Sequence, residues 1–211
     1  MQRIGIMGGT FDPVHLAHLR VAMDVQADLQ LDQVRFVPNR CPPHRADPAA
    51  SIDQRLVMLE TVLAEHESFV LDKREIERSG PSYMVDTLAS LKADFDASIC
   101  LILGTDAFYA LRTWHQWEQL WDFAHIVVAH RPAAGDMPDD LAEIIAHRQV
   151  ETVDELFKQS AGRFYFCPVT QLDISASRIR KMVANGKDIK YLTPEGVIRY
   201  IRKQNLYNAG K

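Results

Sequence analysis

His15 and His18 stand three residues apart, directly after the glycine turn Gly8-Gly9-Thr10-Phe11-Asp12-Pro13. Spaced i and i+3, they share one face of a helical turn. The residues before the turn, Arg3-Ile4-Gly5-Ile6-Met7, read as a short buried strand. Strand, glycine turn and helix opening together present backbone N–H groups and a helix N-terminus to an anion. An imidazole, neutral or protonated, donates a hydrogen bond to a phosphoryl oxygen. Three readings of the pair compete: incidental polar residues on a helix, metal ligands, or partners of a polyphosphate. No HExxH occurs and no third ligand lies nearby, which weighs against a metal. Position at the mouth of a strand–turn–helix unit favours the phosphate. The turn fits neither GxGxxG nor GxxxxGK[ST], so its glycines alone do not name the nucleotide.

The rest of the chain must position that turn. Leu19, Ala22, Val25 and Leu29 follow helical spacing to about Gln30, and Val34-Arg35-Phe36-Val37 reads as a second strand. Asn39 to Ala50 is a proline-rich, stiff loop. Ser51 and Gln54 form a capping box, and Ile52, Leu56, Leu59 and Leu63 supply that helix's buried stripe. Phe69-Val70-Leu71 starts a strand that continues into the charged stretch Asp72 to Arg78. Met84, Leu88, Leu91 and Phe95 define another helix, and Ser98 to Leu103 is apolar on both faces, as in a central parallel strand. That strand ends in a second glycine turn, Gly104-Thr105-Asp106. Trp114 to Phe123 reads as helical, with Trp117 and Trp121 in the core, and His125 to Ala129 as a strand. Two modest helical segments fall within 131–162, and Arg163 to Cys167 is the last strand. Ile174-Ser175-Ala176-Ser177-Arg178-Ile179-Arg180-Lys181 opens a helix stopping near Asn185-Gly186, with Arg180 and Lys181 on its solvated face. Thr193-Pro194-Glu195 starts the final helix, threonine as cap and proline first.

Strands alternating with helices predict an α/β, Rossmann-like doubly wound parallel sheet with flanking helices, and C-terminal helices after the ISxSxIR-like motif. Over 211 residues without repeat or linker, one domain spanning 1–211 is expected. A net charge of −4 argues against nonspecific nucleic-acid binding. No apolar run approaches the ~20 residues that span a bilayer, and Met1 leads into a strand rather than a signal segment. Cys41, Cys100 and Cys167 are odd in number, widely spaced and form no CxxC, which supports neither a disulfide framework nor a zinc cage and points to a reducing cytoplasm.

GGTFDPVHLAH resembles the (H/T)xGH signature of the nucleotidyltransferase superfamily, and Ile174 to Arg180 resembles its second signature, ISSTxIR. Between them, Pro42-Pro43-His44-Arg45, Pro81-Ser82-Tyr83 with Thr87-Leu88, Gly104-Thr105-Asp106, Thr113-Trp114 and His130-Arg131-Pro132 keep the order seen in bacterial nicotinate-nucleotide adenylyltransferases. The resemblance runs from Arg3 to Tyr207. It implies transfer of AMP from ATP to nicotinic acid mononucleotide, giving deamido-NAD and pyrophosphate. The attacking group would be a phosphate oxygen, already largely ionised near neutral pH, so no general base is required. Alignment and charge stabilisation are what remain for the protein.

By the same resemblance, Gly8, Gly9, Thr10 and Phe11 would meet the nucleotides through the backbone. His15 and His18 would bind the triphosphate and stabilise the transition state, with Arg178 as a third catalytic group. Ile174 and Ser175 would complete the ATP site by capping a helix toward the β,γ-phosphates, and Gly104 and Asp106 would approach the adenosine. Asn39, His44, Tyr83, Met84, Trp114 and Arg131 would form the mononucleotide half, the pyridine ring stacking on Trp114. Two positions depart from the pattern: Ala17 replaces a common glycine, and Met84 a usual threonine, which leaves acid-over-amide selectivity to backbone donors. Magnesium is expected with ATP, held mainly by phosphates and water, with no protein metal ligand. The expected partners are ATP and nicotinic acid mononucleotide, without nucleic acid or membrane, for a cytoplasmic monomer or small homo-oligomer. Nicotinamide mononucleotide or phosphopantetheine as acceptor, and an idle nucleotide sensor, are the alternatives.

Overall fold

The computed structural model describes residues 1–40, 47–130 and 137–208. Its centre is a six-stranded sheet in the order β3-β2-β1-β4-β5-β6, with every neighbouring pair parallel. The strands are β1 (Gln2–Gly9), β2 (Gln33–Pro38), β3 (Phe69–Leu71), β4 (Ala97–Gly104), β5 (His125–His130) and β6 (Phe164–Pro168). This is the doubly wound arrangement, whose strand order reverses between β1 and β4.

Successive strand side chains point to opposite faces, and the core divides accordingly. Ile4, Ile6, Ile99, Leu101, Leu103, Ile126 and Val128 pack on one face with the helices Met84–Asp94 and Leu120–Phe123. Met7, Phe36, Cys100, Ile102, Val127 and Cys167 pack on the other with the helices Leu16–Leu29, Ile52–Leu63, Ala176–Ala184 and Glu195–Lys203. Burial on both faces is why these strands are continuous apolar runs rather than alternating ones. Burial pushes the Cys100 thiol up to about 12, and raises that of Cys167, which donates to Asp28 Oδ2 at 3.4 Å.

Several local expectations change. The third strand stops at Leu71, because Asp72 turns its carboxylate back to Arg35 and Arg74 and a helical turn, Arg74–Glu77, follows. The tryptophan segment is two 3-10 turns, Leu111–Thr113 and Trp117–Gln119, before a short helix, Leu120–Phe123. Gln116 sits there at φ 50, so no continuous helix can form. Trp121 is buried, whereas Trp117 is only half-buried. The stripe of Ile52–Leu63 centres on Arg55, Met58, Leu59 and Val62, with Ile52 and Leu56 half-buried at its margin. Pro194, not Thr193, occupies the cap of the last helix. Thr193 instead donates its hydroxyl to the Val14 carbonyl at 2.7 Å. Gly186, at φ 65, ends Ala176–Ala184 in the left-handed conformation expected of a glycine stop. Among the described residues no helix is long and apolar enough to cross a membrane.

Candidate active site at the sheet switch point

β1 and β4 pair from Gln2 opposite Ala97 to Ile6 opposite Leu101, yet both strands run on to Gly9 and Gly104. Their ends diverge, and the crevice at such a reversal of strand order is where open α/β sheets bind ligands. Gly8 and Gly9 line one wall and Gly104 the other.

The glycine turn is held by its own aromatic residue. Phe11 takes φ 50, and its ring lies over Gly9, where a Cβ would come within 3.1 Å of it. The same ring meets Phe36 at 5.7 Å and the edge of His18 at 5.2 Å. His15 caps Leu16–Leu29, and its ring stacks on His18 with centroids 3.6 Å apart and planes 20° apart. The His15 backbone N–H donates to His18 Nδ1 at 3.2 Å. That bond makes Nδ1 the acceptor and leaves Nε2 of neutral His18 with the proton. Burial lowers the His15 pKa to about 4; burial and then the charge of His15 hold His18 well below its usual value. Both rings are therefore neutral at pH 7. His15 Nδ1 is buried and faces the His18 N–H in a capping-box arrangement, without closing a full hydrogen bond to it.

Beneath the turn lies Arg55, fully buried. Its Nη1 donates to the Thr10 carbonyl at 2.8 Å and its Nη2 to the Asn39 carbonyl at 2.9 Å. Asn39 in turn donates Nδ2 to Thr10 Oγ1 at 3.1 Å and its backbone N–H to the Gly9 carbonyl at 3.0 Å. Burial pulls the guanidinium below its ordinary range while Asp12 acts against the shift. An arginine remains a cation regardless. The motif reading missed Arg55, and the only signal was a charge inside an otherwise apolar helical stripe.

The second signature closes on the turn from the other side, by a route different from the one expected. Ser175 caps Ala176–Ala184, accepting from the Arg178 N–H at 3.3 Å, with Ile174 half-buried before it. Arg178 is exposed and engages Asp173, through its carbonyl at 3.3 Å and its carboxylate at 3.6 Å. Arg180, expected on the solvated face, instead donates to the Asp12 carbonyl at 2.6 Å and lies 3.7 Å from its carboxylate. The correction has a plain cause. Asp12 is buried and anionic, and Arg180 lies one turn beyond the cap, within reach of it.

Of the residues expected to receive the mononucleotide, Tyr83 caps Met84–Asp94 and stacks on His115 at 4.1 Å, a partner the motif reading did not single out. Met84 reaches the phosphate turn itself: its Cε would lie 2.6 Å from a Cβ on Gly8. The absent side chain of Gly8 is what admits it. Behind them, Thr87 donates to the buried Glu75 at 2.7 Å and accepts from Arg78 Nη2 at 2.6 Å, bracing the helix start. Trp114 is half-buried between Thr113 and His115. Gly104 caps Thr105–Tyr109, and Asp106 stands exposed in its first turn. His44 and Arg131 lie outside the described residues.

The arrangement brings backbone donors and two neutral imidazoles to the switch point, with the Ser175-capped helix tied to the same turn through Arg180 and Asp12. Such a set can bind a polyphosphate and stabilise charge on it; among the described residues it shows no nucleophile–base pair. Among the described residues no three His, Cys, Asp or Glu gather to hold a metal. A profile described as cytidylyltransferase-like matches residues 6–182. A Methylococcus capsulatus protein named "Probable nicotinate-nucleotide adenylyltransferase" is 48% identical over 97% of this chain and 99% of its own. An Aeromonas hydrophila protein of the same name is 43% identical over 97% and 96%. A solved structure of the Plasmodium falciparum nicotinic acid mononucleotide adenylyltransferase complexed with NaAD superposes with a TM-score of 0.76 at 21% identity, covering 98% of each chain. The chain belongs to the cytidylyltransferase-like family and, within it, to the nicotinate-nucleotide adenylyltransferases.

Proposed function

We propose that the switch-point crevice transfers the adenylyl group of ATP to nicotinic acid mononucleotide, a step of NAD biosynthesis. A phosphate oxygen of the mononucleotide attacks the α-phosphorus. A new P–O bond forms as the bond to the bridging oxygen breaks, and pyrophosphate leaves with the electron pair. The attacking oxygen is ionised above its second pKa of about 6, so no proton has to be removed.

Each half of the crevice has its own task in this reading. The Gly8 to Phe11 backbone, His15 and His18 hold the reacting phosphates, with Nε2–H of His18 as a donor to the charge that develops. Ser175 and Arg178 face the β,γ-phosphates, and Gly104 and Asp106 the adenosine. Asn39, Tyr83, Met84 and Trp114 receive the mononucleotide, together with His44 and Arg131. Magnesium would accompany ATP and neutralise phosphate charge, with no protein side chain assigned to hold it. The cytoplasm, where both nucleotides are found, is the compartment, and the chain works as one nucleotidyltransferase domain.

The observation that carries the reading is the stacked, neutral His15–His18 pair at the diverging ends of β1 and β4. Met84 bears on the choice of acceptor. Its methyl group packs on Gly8, where a hydroxyl donor would have favoured a carboxylate. Selectivity then rests on backbone N–H groups at the start of Met84–Asp94. The test is pyrophosphate release from ATP and magnesium with the acid or the amide mononucleotide as acceptor. Use of the acid at least tenfold better is the expected result. Equal use would remove the selectivity, and no release with either would overturn the transferase reading.

A further inference from the structure

Asp12 lies in the bend of the phosphate turn with only 4% of its surface exposed. A carboxylate beside a phosphate site is unfavourable unless its charge is cancelled and its oxygens are occupied. Here both conditions hold. Oδ2 accepts from the Ala49 N–H at 2.8 Å, and Oδ1 from the Ala50 N–H at 3.1 Å and the Tyr207 hydroxyl at 2.7 Å. Arg180 stands 3.7 Å from Oδ2 while donating to the carbonyl of the same residue, and the buried Arg55 adds a second positive charge nearby.

These partners come from separate parts of the chain. Ala49 and Ala50 lead into Ile52–Leu63, the helix that carries Arg55 to Thr10 and Asn39. Arg180 belongs to the helix that Ser175 caps, on the triphosphate side. Tyr207 follows the last helix and packs against the core beside the turn, and its hydroxyl fixes the carboxylate. One side chain thus joins the phosphate turn, the segment that supports Asn39, and the second-signature helix.

We propose that Asp12 is a positioning residue that makes the binding of ATP and of the acceptor interdependent, with Tyr207 holding its carboxylate in place. The inference rests on assigning the crevice to ATP and a phosphorylated acceptor. Ordering of one segment by its ligand restricts the others through the shared carboxylate, so the second ligand orders less on binding. Coupling of this kind is a property of the pair of ligands and not of either alone.

The experiment is titration calorimetry of the full chain with nicotinic acid mononucleotide, alone and with magnesium and a non-transferable ATP analogue bearing an α,β-methylene bridge. Wild type is expected to bind the mononucleotide roughly tenfold tighter in the presence of the analogue. Tyr207→Phe and Asp12→Asn should each reduce that ratio below about twofold, and the double variant should couple no worse than Asp12→Asn, because both act through one bond. Asp12→Asn removes a buried charge opposite Arg180 and can disturb the fold, so Tyr207→Phe, which deletes a single oxygen, carries the decision. A purely structural role would lower the melting temperature and leave the ratio at the wild-type value; that result overturns the proposal, as does a wild type without coupling. A wild type that binds neither nucleotide refutes the functional reading and this inference with it.

Discussion

Arg55→Met tests the idea that one buried guanidinium holds the phosphate turn against β2. Methionine keeps much of the length and apolar bulk of the stem but donates nothing. The Thr10 and Asn39 carbonyls, bonded at 2.8 and 2.9 Å, would both lose a charged donor in the interior. A hydrogen bond from a charged group contributes about 1.5–3 kcal/mol. Against the sum of two stands the relief of no longer burying a cation, and Asp12 is left with less compensating charge. A net loss of about 3 kcal/mol follows, which for a chain of this size lowers the melting temperature by roughly 6–12 °C. Arg55→Lys can reach one carbonyl at a time and should lose about half as much. Urea and thermal unfolding measure both variants, and adenylyl transfer by the folded fraction should fall at least tenfold in the methionine variant. A methionine variant within about 0.5 kcal/mol of wild type would refute the reasoning, because two orphaned buried carbonyls cannot be that cheap.

Two further outcomes are expected. His18→Ala should lower kcat by about 10²–10³-fold, the size of losing one transition-state donor, with the melting temperature little changed; near wild-type turnover would remove His18 from the chemistry. Acid should destabilise the fold through His125, fully buried with Nε2 shared between Ser98 Oγ and the Gln159 carbonyl and a pKa lowered to about 4. The unfolded chain takes up that proton near pH 6.5 and the folded one only near pH 4. Stability is therefore complete above pH 6.5 and falls as the pH drops through that window, by about 1.4 kcal/mol per unit for this group. Urea midpoints of wild type and His125→Gln between pH 7.5 and 5 check the sign, and equal slopes would refute it.

What could be read before the fold was known follows from how far each interaction reaches. The first strand, the glycine turn, the Ser51–Gln54 capping box and the Gly186 stop are local chemistry, and all lie where spacing placed them. The buried polar groups were illegible for the same reason. Arg180 was assigned by the habit that cations face water, which holds until a distant carbonyl or carboxylate takes one in, and Arg55 was not singled out at all. Thr193 looked like a cap because caps are judged from neighbours, and its real partner is Val14. Asp12 and Tyr207 meet across almost the whole chain, a contact to which periodicity is blind. The positions that tie the candidate site together are thus the ones whose partners come from far along the chain.

The stacking of His15 on His18 has a consequence for turnover. Two positive rings with centroids 3.6 Å apart would repel each other, and burial already holds both pKa values down, so the pair is neutral near pH 7. A lining of neutral donors recognises phosphate by shape and direction more than by charge. Pyrophosphate packs more negative charge into fewer atoms than ATP, and a strongly cationic pocket would retain it and stall the next cycle. In the proposed reaction a neutral pair would hold the leaving group by directed hydrogen bonds, and leave Arg178 as the fixed positive charge that product release has to overcome.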